Sequence, residues 1–395
     1  MKKYDFDEII DRAGTDCVKY DGLEKAFGVS DALPLWVADM DFKTPDFIME
    51  AIRKRCEHEI LGYTFPSSSY YKAIVEWVRK RHNWAIAPEQ ITFLSGIVPA
   101  LGHCLNAFTE KGDKVLVQPP VYMPFHWIPQ NLSRTLVYNY LVESNGRYVM
   151  NYDELDRLMG EGCKVMILCN PHNPGGRVWS REELLEVAGL SQKHGVLVIS
   201  DEIHGDLTLN GKCQIPYASV SDYAAGHSIT LMAPSKTFNL AGLATSYSVI
   251  PDEALRRCFK QYIDQTELAN GTIFSFVAAQ AAYEHGEEWL NECTGYVWEN
   301  MLLAQRFFQT HLPVIRPMMS EASYLLWLDC RALNLPQNEL VHFFLREAHV
   351  ALNDGAAFGP GGEGYMRMNL ACPRSRVEQA LCQMAAAYRR LYGDK

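Results

Sequence analysis

The stretch SITLMAPSKTFNLAG, residues 228–242, decides how this chain is read. Lys236 stands at the end of the apolar run SITLMA, between Ser235 and a tight NLAG turn, and no other charge flanks it. Lysine is seldom buried without a partner or a task. One reading is a strand-end lysine whose amine snorkels to water. The other is an amine placed to lose its proton and attack a carbonyl. The stretch alone leaves both open. The residues that follow the neighbouring apolar runs separate them.

Those runs are ITFLS (91–95), KVLVQ (114–118), TLVYNYL (135–141), KVMILC (164–169), VLVIS (196–200), SITLM (228–232) and SYSVI (246–250). Amphipathic stretches lie between several of them. One is SREELLEVAGLSQKH (180–194), with Ser180 as N-cap and Glu183 three residues on, the spacing of a capping box. Apolar runs alternating with helices predict an α/β fold, a mainly parallel sheet with helices on both faces. Beyond about residue 288 the pattern changes to a long helical stretch, then SYLLWLD, a helix near 336–348, VALND, MRMNLA and a last helix. That predicts a smaller α+β unit of residues 288–395, joined by 1–46, beside a large unit of 47–287.

Open α/β sheets bind ligands at the carboxyl ends of their strands. After ITFLS comes GIVPAL, where the backbone N–H groups of Gly96, Ile97 and Val98 would face an anion at a helix N-terminus. Many strand–helix turns hold glycine, so this alone decides nothing. After KVLVQ comes Tyr122, an aromatic able to cover a flat ring or merely to pack. After KVMILC comes NPHNPGG, a fixed turn that offers the amide of Asn173. After VLVIS comes Asp201, a carboxylate that needs a partner if buried. A lysine, a carboxylate for a ring nitrogen, an amide for a phenolic oxygen, an aromatic face and a phosphate-binding helix end together describe the requirements of pyridoxal 5′-phosphate.

Other classes recede. The chain has 395 residues, 48% hydrophobic and 21% charged, and a net charge of −10, which disfavours unspecific nucleic-acid binding. No apolar run reaches the roughly 18 residues of a membrane span, and MKKYDFDEII lacks the apolar core of an export signal. Eleven cysteines without a C-x-x-C pair read as reduced thiols, and twelve histidines show no metal-ligand spacing, so no metal is expected. A cytoplasmic location is expected.

With these motifs in place the sequence resembles the fold-type I pyridoxal-phosphate enzymes of the class I/II aminotransferase superfamily. LWVADMDFKTP (35–45), LGYTFP (61–66), SGIVPAL, NPHNPGGRVW, SDEIH and APSKTFNLAGL are similar to its cystathionine β-lyase branch, which includes cystalysin and the maltose-regulon modulator. The resemblance implies that Lys236 condenses with the cofactor aldehyde and that Asp201 pairs the ring nitrogen. It implies that Asn173 bonds the phenolic oxygen, that His204 is among the cofactor-binding residues and that Tyr122 stacks on the ring. Gly96, Ile97, Val98 and Ser235 would bind the phosphate, with Tyr63 contributed by a second subunit, so active sites would be shared in a homodimer. Arg367 in YMRMNLA would clamp the carboxylate of an amino-acid substrate, with Ala38, Tyr122 and Asn173 around it. A surface ion pair is the plainer role for Arg367, and its lone charge within an apolar strand argues against that.

Two departures from the aminotransferase pattern stand out, one at a pair of positions. Ala233 and Ala244 stand where many aminotransferases carry a serine and an arginine for the phosphate, and His204 stands where many carry a tyrosine. Both departures suit a carbon–sulfur β-lyase that releases a thiol, pyruvate and ammonia from S-substituted cysteines. An aminotransferase is the first alternative. A further protein-binding role toward a transcription regulator is the second.

Overall fold

The structure, a computed structural model, describes residues 4–268 and 270–393. Seven strands form the main sheet: β1 Ile91–Leu94, β2 Lys114–Val117, β3 Thr135–Tyr138, β4 Cys163–Cys169, β5 Leu197–Asp201, β6 Ser228–Met232 and β7 Ser246–Val249. Their order across the sheet is β1-β7-β6-β5-β4-β2-β3. The pairs β6–β5, β5–β4, β4–β2 and β2–β3 are parallel, and β7 runs against both of its neighbours. The mainly parallel sheet expected from the sequence is therefore present, with strand ends within a few residues of the apolar runs. The largest difference is β3, which stops at Tyr138. Asn139 is fully buried there and is tied by its side chain to Gln118 and to the backbone of Asn151, which turns the chain out of the sheet.

Both faces of this sheet are covered, and the strands sort their side chains by the two-residue repeat. On β4, Val165, Ile167 and Cys169 join a core with Leu101 of the helix Ile97–Phe108 and with Phe259. The alternate Met166 and Leu168 join another with Leu155, Leu184 and Trp327. The helix Arg181–His194 begins with the expected capping box: Ser180 Oγ accepts the N–H of Glu183, and Glu183 answers to Ser180. Gly195 ends it in a left-handed conformation, the αL stop that glycine adopts without a Cβ clash.

A second, antiparallel sheet has the order β8-β9-β11-β10, formed by β8 Arg316–Met318, β9 Leu325–Asp329, β10 Asn353–Asp354 and β11 Tyr365–Asn369. The helices Glu287–His311 and Arg374–Tyr392 pack beside it. Residues 350–354 divide between two pairings: Val350–Ala351 pairs in parallel with Leu33–Pro34, and Asn353–Asp354 joins β11. The helix expected near 336–348 is α-helical over Gln337–His342 and then widens into a π-turn over Phe343–Glu347. One hydrophobic cluster runs from Trp77, Phe93 and Tyr247 beside the main sheet to Leu325, Leu326 and Met384 beside the second, so the two sheets share a core.

Candidate active site

The carboxyl ends of the central strands open into a cavity of about 240 Å³. Its walls include Ala38, Gly96, Ile97, Val98, Tyr122, Asn173, Asp201, His204, Ser235 and Lys236, residues that arrive from six separate turns of the chain. Each is positioned by the element before it. Asp201 is the last residue of β5 and Lys236 lies in the short helix Pro234–Thr237 after β6. Gly96 caps the helix Ile97–Phe108 with φ 143°, in the region that favours glycine. That helix end leaves its first N–H groups without intrahelical partners, as every helix does.

Lys236 is half-buried at the cavity wall and its amine donates to Ala38 O at 2.6 Å. Burial, aided by the nearby Arg367 cation, lowers its pKa to about 8, against the opposing pull of Asp39 and Asp201. The amine is thus held by a backbone carbonyl at the cavity wall instead of extending to bulk water. Asp201 accepts the N–H of Ile203 at 3.1 Å. Burial raises its pKa to about 7; the adjacent Glu202 adds to the rise, and the Ile203 N–H and Lys236 moderate it. Glu202 itself faces a filled set of donors, Ser200 Oγ at 2.8 Å, Gln214 Nε2 at 2.7 Å and the Tyr217 N–H at 2.8 Å, and has no part in the cavity wall. His204 is buried, and burial with the neighbouring Lys236 and Arg367 charges lowers its pKa to about 3, so the ring is neutral. Its Nδ1 has no partner.

Arg367, on β11, stands one hydrogen bond behind the wall. It donates to Asn173 Oδ1 at 3.1 Å, to Trp36 O at 3.2 Å and to Asn353 Oδ1, and its guanidinium lies 4.9 Å from the Phe358 ring centre. Burial lowers its pKa to about 10, its Nε is unpartnered, and no carboxylate pairs with it among the described residues. A buried cation held only by neutral acceptors favours an incoming anion. By accepting from Arg367 with its oxygen, Asn173 leaves its NH₂ group to donate elsewhere.

Tyr63 is the expected site residue that the structure leaves apart. It is fully solvent-exposed in a segment, 59–67, that belongs to no helix or strand, and it lines no part of its own chain's cavity. Sequence reasoning also missed several wall residues. Ser95 and Thr245 border the cavity, and Thr245 Oγ1 is buried beside the Tyr70 hydroxyl. Ser95 precedes Gly96, an expected phosphate ligand, and Thr245 follows Ala244, which stands in the place of the phosphate arginine. Cys169 and Ile203 were hidden among ordinary apolar residues. Tyr324, whose hydroxyl donates to Ala38 O at 2.9 Å, follows no strand of the main sheet and carried no signal.

A twisted, mainly parallel sheet with a lysine, a carboxylate and a helix end gathered at its carboxyl edge defines a class of protein, and the comparisons agree. The model of the Aminotransferase class I and II family matches residues 30–383, and the chain belongs to that family. Among its relatives is cystathionine beta-lyase PatB of Bacillus subtilis (strain 168), 45% identical over 383 residues, which cover 97% of this chain and 99% of that one. The crystal structure of cystalysin from Treponema denticola, which contains a pyridoxal 5′-phosphate cofactor, superposes with a TM-score of 0.95 at 33% identity, covering 98% of this chain and 99% of cystalysin. The PLP-bound C-S lyase from Staphylococcus hominis gives a TM-score of 0.91 at 35% identity, covering 97% and 98%.

Among the described residues no helix is long and apolar enough to cross a membrane, and no group of three or more His, Cys, Asp or Glu residues is placed to hold a metal ion.

Proposed function

We propose that the protein is a pyridoxal 5′-phosphate-dependent carbon–sulfur β-lyase that cleaves cystathionine or other S-substituted L-cysteines to a thiol, pyruvate and ammonia. The observation that carries this is the Lys236 amine, held at Ala38 O and lowered to a pKa of about 8, in one cavity with Asp201 and Asn173. The full-length similarity to named C-S lyases favours β-cleavage over amino transfer.

The residues present fit the cofactor. The hydroxyls of Thr245 and Ser235 and the N-terminus of Ile97–Phe108 would supply donors for its phosphate. A Cβ built on Gly96 would meet nothing closer than Pro99 at 3.5 Å, so glycine is required there by its φ rather than by lack of room. Asp201 would sit at the ring nitrogen, Asn173 and His204 at the phenolic oxygen and Tyr122 on the ring face. When bound, the cofactor supplies an electron sink that stabilises negative charge on the substrate α-carbon. Arg367 binds the substrate carboxylate and orients the α-carbon. Lys236 Nζ, partly neutral near pH 8, takes the α-proton as general base. Asp201, ionised, keeps a proton on the facing nitrogen through charge pairing.

The exposed strip Ile60, Leu61, Tyr63 and Phe65, with exposures of 68%, 68%, 112% and 82%, supports a homodimer in which this segment is covered by a second copy. Tyr63 would then reach the partner's phosphate site. Residues 47–287 and the combined 1–46 and 288–395 are read as a large and a small unit. The free thiols suit a cytoplasmic protein.

The test is product analysis. Purified protein with pyridoxal phosphate should release pyruvate and a thiol from cystathionine, and Lys236→Ala should lose more than about a thousandfold in kcat, as removal of a base that also anchors the cofactor implies. Amino transfer to a keto acid without pyruvate release would overturn the lyase reading.

A further inference from the structure

The carbonyls of five consecutive residues, Trp36 to Met40, each accept a hydrogen bond from a side chain elsewhere. Arg367 donates to Trp36 O at 3.2 Å, and Asn369 Nδ2 to Val37 O and Asp39 O, each at 2.6 Å. Lys236 Nζ at 2.6 Å and Tyr324 Oη at 2.9 Å converge on Ala38 O. Asn239 Nδ2 donates to Met40 O at 2.9 Å. This strap therefore receives both cations of the proposed reaction on its backbone.

Asn239 makes a second bond: its Oδ1 accepts the Met40 N–H at 2.9 Å. One amide thus pairs with both polar groups of a single residue, as a neighbouring strand would. Asn239 stands three residues after Lys236, in the NLAG turn, with φ 57°, a left-handed conformation that asparagine tolerates better than most residues. The turn that follows Lys236 is therefore fastened to the strap whose carbonyl Lys236 reaches. Behind the strap, Arg12 pairs Asp39 at 2.7 Å and Asp41 at 2.6 Å, and the fully buried Lys19 pairs Asp41 at 2.8 Å.

A lysine side chain is four rotatable carbons, so its amine rests where an acceptor is held for it. We propose that Asn239 is a positioning residue: by fastening Met40 to the turn after Lys236, it fixes the Ala38 carbonyl as the point that holds the Lys236 amine whenever that amine is released from the cofactor. The proposal rests on the lyase reading and deepens it. The base acts from a location that two segments, distant in sequence, define together.

The experiment replaces the amide while keeping the backbone conformation. Asn239→Gly retains positive φ without strain. Asn334→Gly, at φ 52° in a turn of the second unit, is the matched control. With cofactor-loaded enzyme, Asn239→Gly should lower kcat per loaded site about tenfold or more and move KM less than about threefold, because Arg367 keeps its other partners. Amide hydrogen exchange over residues 36–41 should accelerate in the same variant. Asn334→Gly should change neither. Asn239→Asp keeps the acceptor for the Met40 N–H but sets an oxygen against Met40 O, and it is judged by the same criteria should the glycine variant fail to fold. A kcat within about twofold of the parent, or unchanged exchange over 36–41, overturns the proposal, since a misplaced base should cost more than that. Absence of pyruvate from the parent protein would count against the lyase reading instead, and the exchange comparison would still judge the tether.

Discussion

Lys236 and Asp201 have their pKa values pushed toward each other by burial, to about 8 and about 7. The consequences for stability have opposite slopes. Asp201 binds its proton more tightly folded than unfolded, since its value rises from 3.8 to about 7. Its contribution is best below 3.8 and worsens as pH rises to about 7. Lys236 falls from 10.5 to about 8, so the folded state carries a penalty below 8 that is relieved as pH rises toward 10.5. In cofactor-free protein, Asp201→Asn should therefore raise Tm at pH 7 to 8 and leave it nearly unchanged near pH 3.5. Thermal melts of parent and variant across pH check this; equal differences at both ends would contradict the assigned cause. Both residues were legible in sequence because a charge at the end of an apolar run is an anomaly. Thr245 and Tyr324 were not, because a hydroxyl beside apolar residues is ordinary until its partners are known.

The helix Ile97–Phe108 shows what an element adds. Its sequence, IVPALGHCLNAF, carries no charge in the first turn, so its anion site rests on backbone N–H groups and their aligned dipoles. Gly96 sets the entry angle at φ 143°. Gly96→Ala should cost about 1–3 kcal/mol in thermal or denaturant unfolding from backbone strain alone, given the open space around it. It should also weaken pyridoxal phosphate retention, read by dialysis and absorbance. Strands, this helix and the Ser180–Glu183 cap were readable because they follow local periodicity and local hydrogen bonding. The division of residues 350–354 between two pairings was not, because it depends on Leu33–Pro34, more than 300 positions away.

For the whole molecule, the exposed segment holding Tyr63 makes the sharpest claim. If Tyr63 serves the partner's site, Tyr63→Ala and Lys236→Ala should each be inactive alone. Mixed in equal amounts and allowed to exchange, they should regain activity at up to about a quarter of all sites, the random share in which each wild-type side chain is present. Sedimentation or light scattering must first show exchange. No recovery after demonstrated exchange would rule out shared sites.

The sequence by itself determined the sheet, its class and the residues at its carboxyl edge, because strand periodicity and the anomaly of strand-end polar groups are local. It also set Lys236 and Asp201 at the ends of two strands that prove to be neighbours. The tertiary structure decided what holds them. Arg367 meets Asn173 across 194 positions, and Lys236 meets Ala38 across 198. Residues 36–40 carry no periodic pattern, since their order comes from side chains gathered from the far ends of the chain rather than from a repeat of their own. The low pKa of Lys236 likewise has its cause in burial and in Arg367, neither of which is visible until the chain is folded.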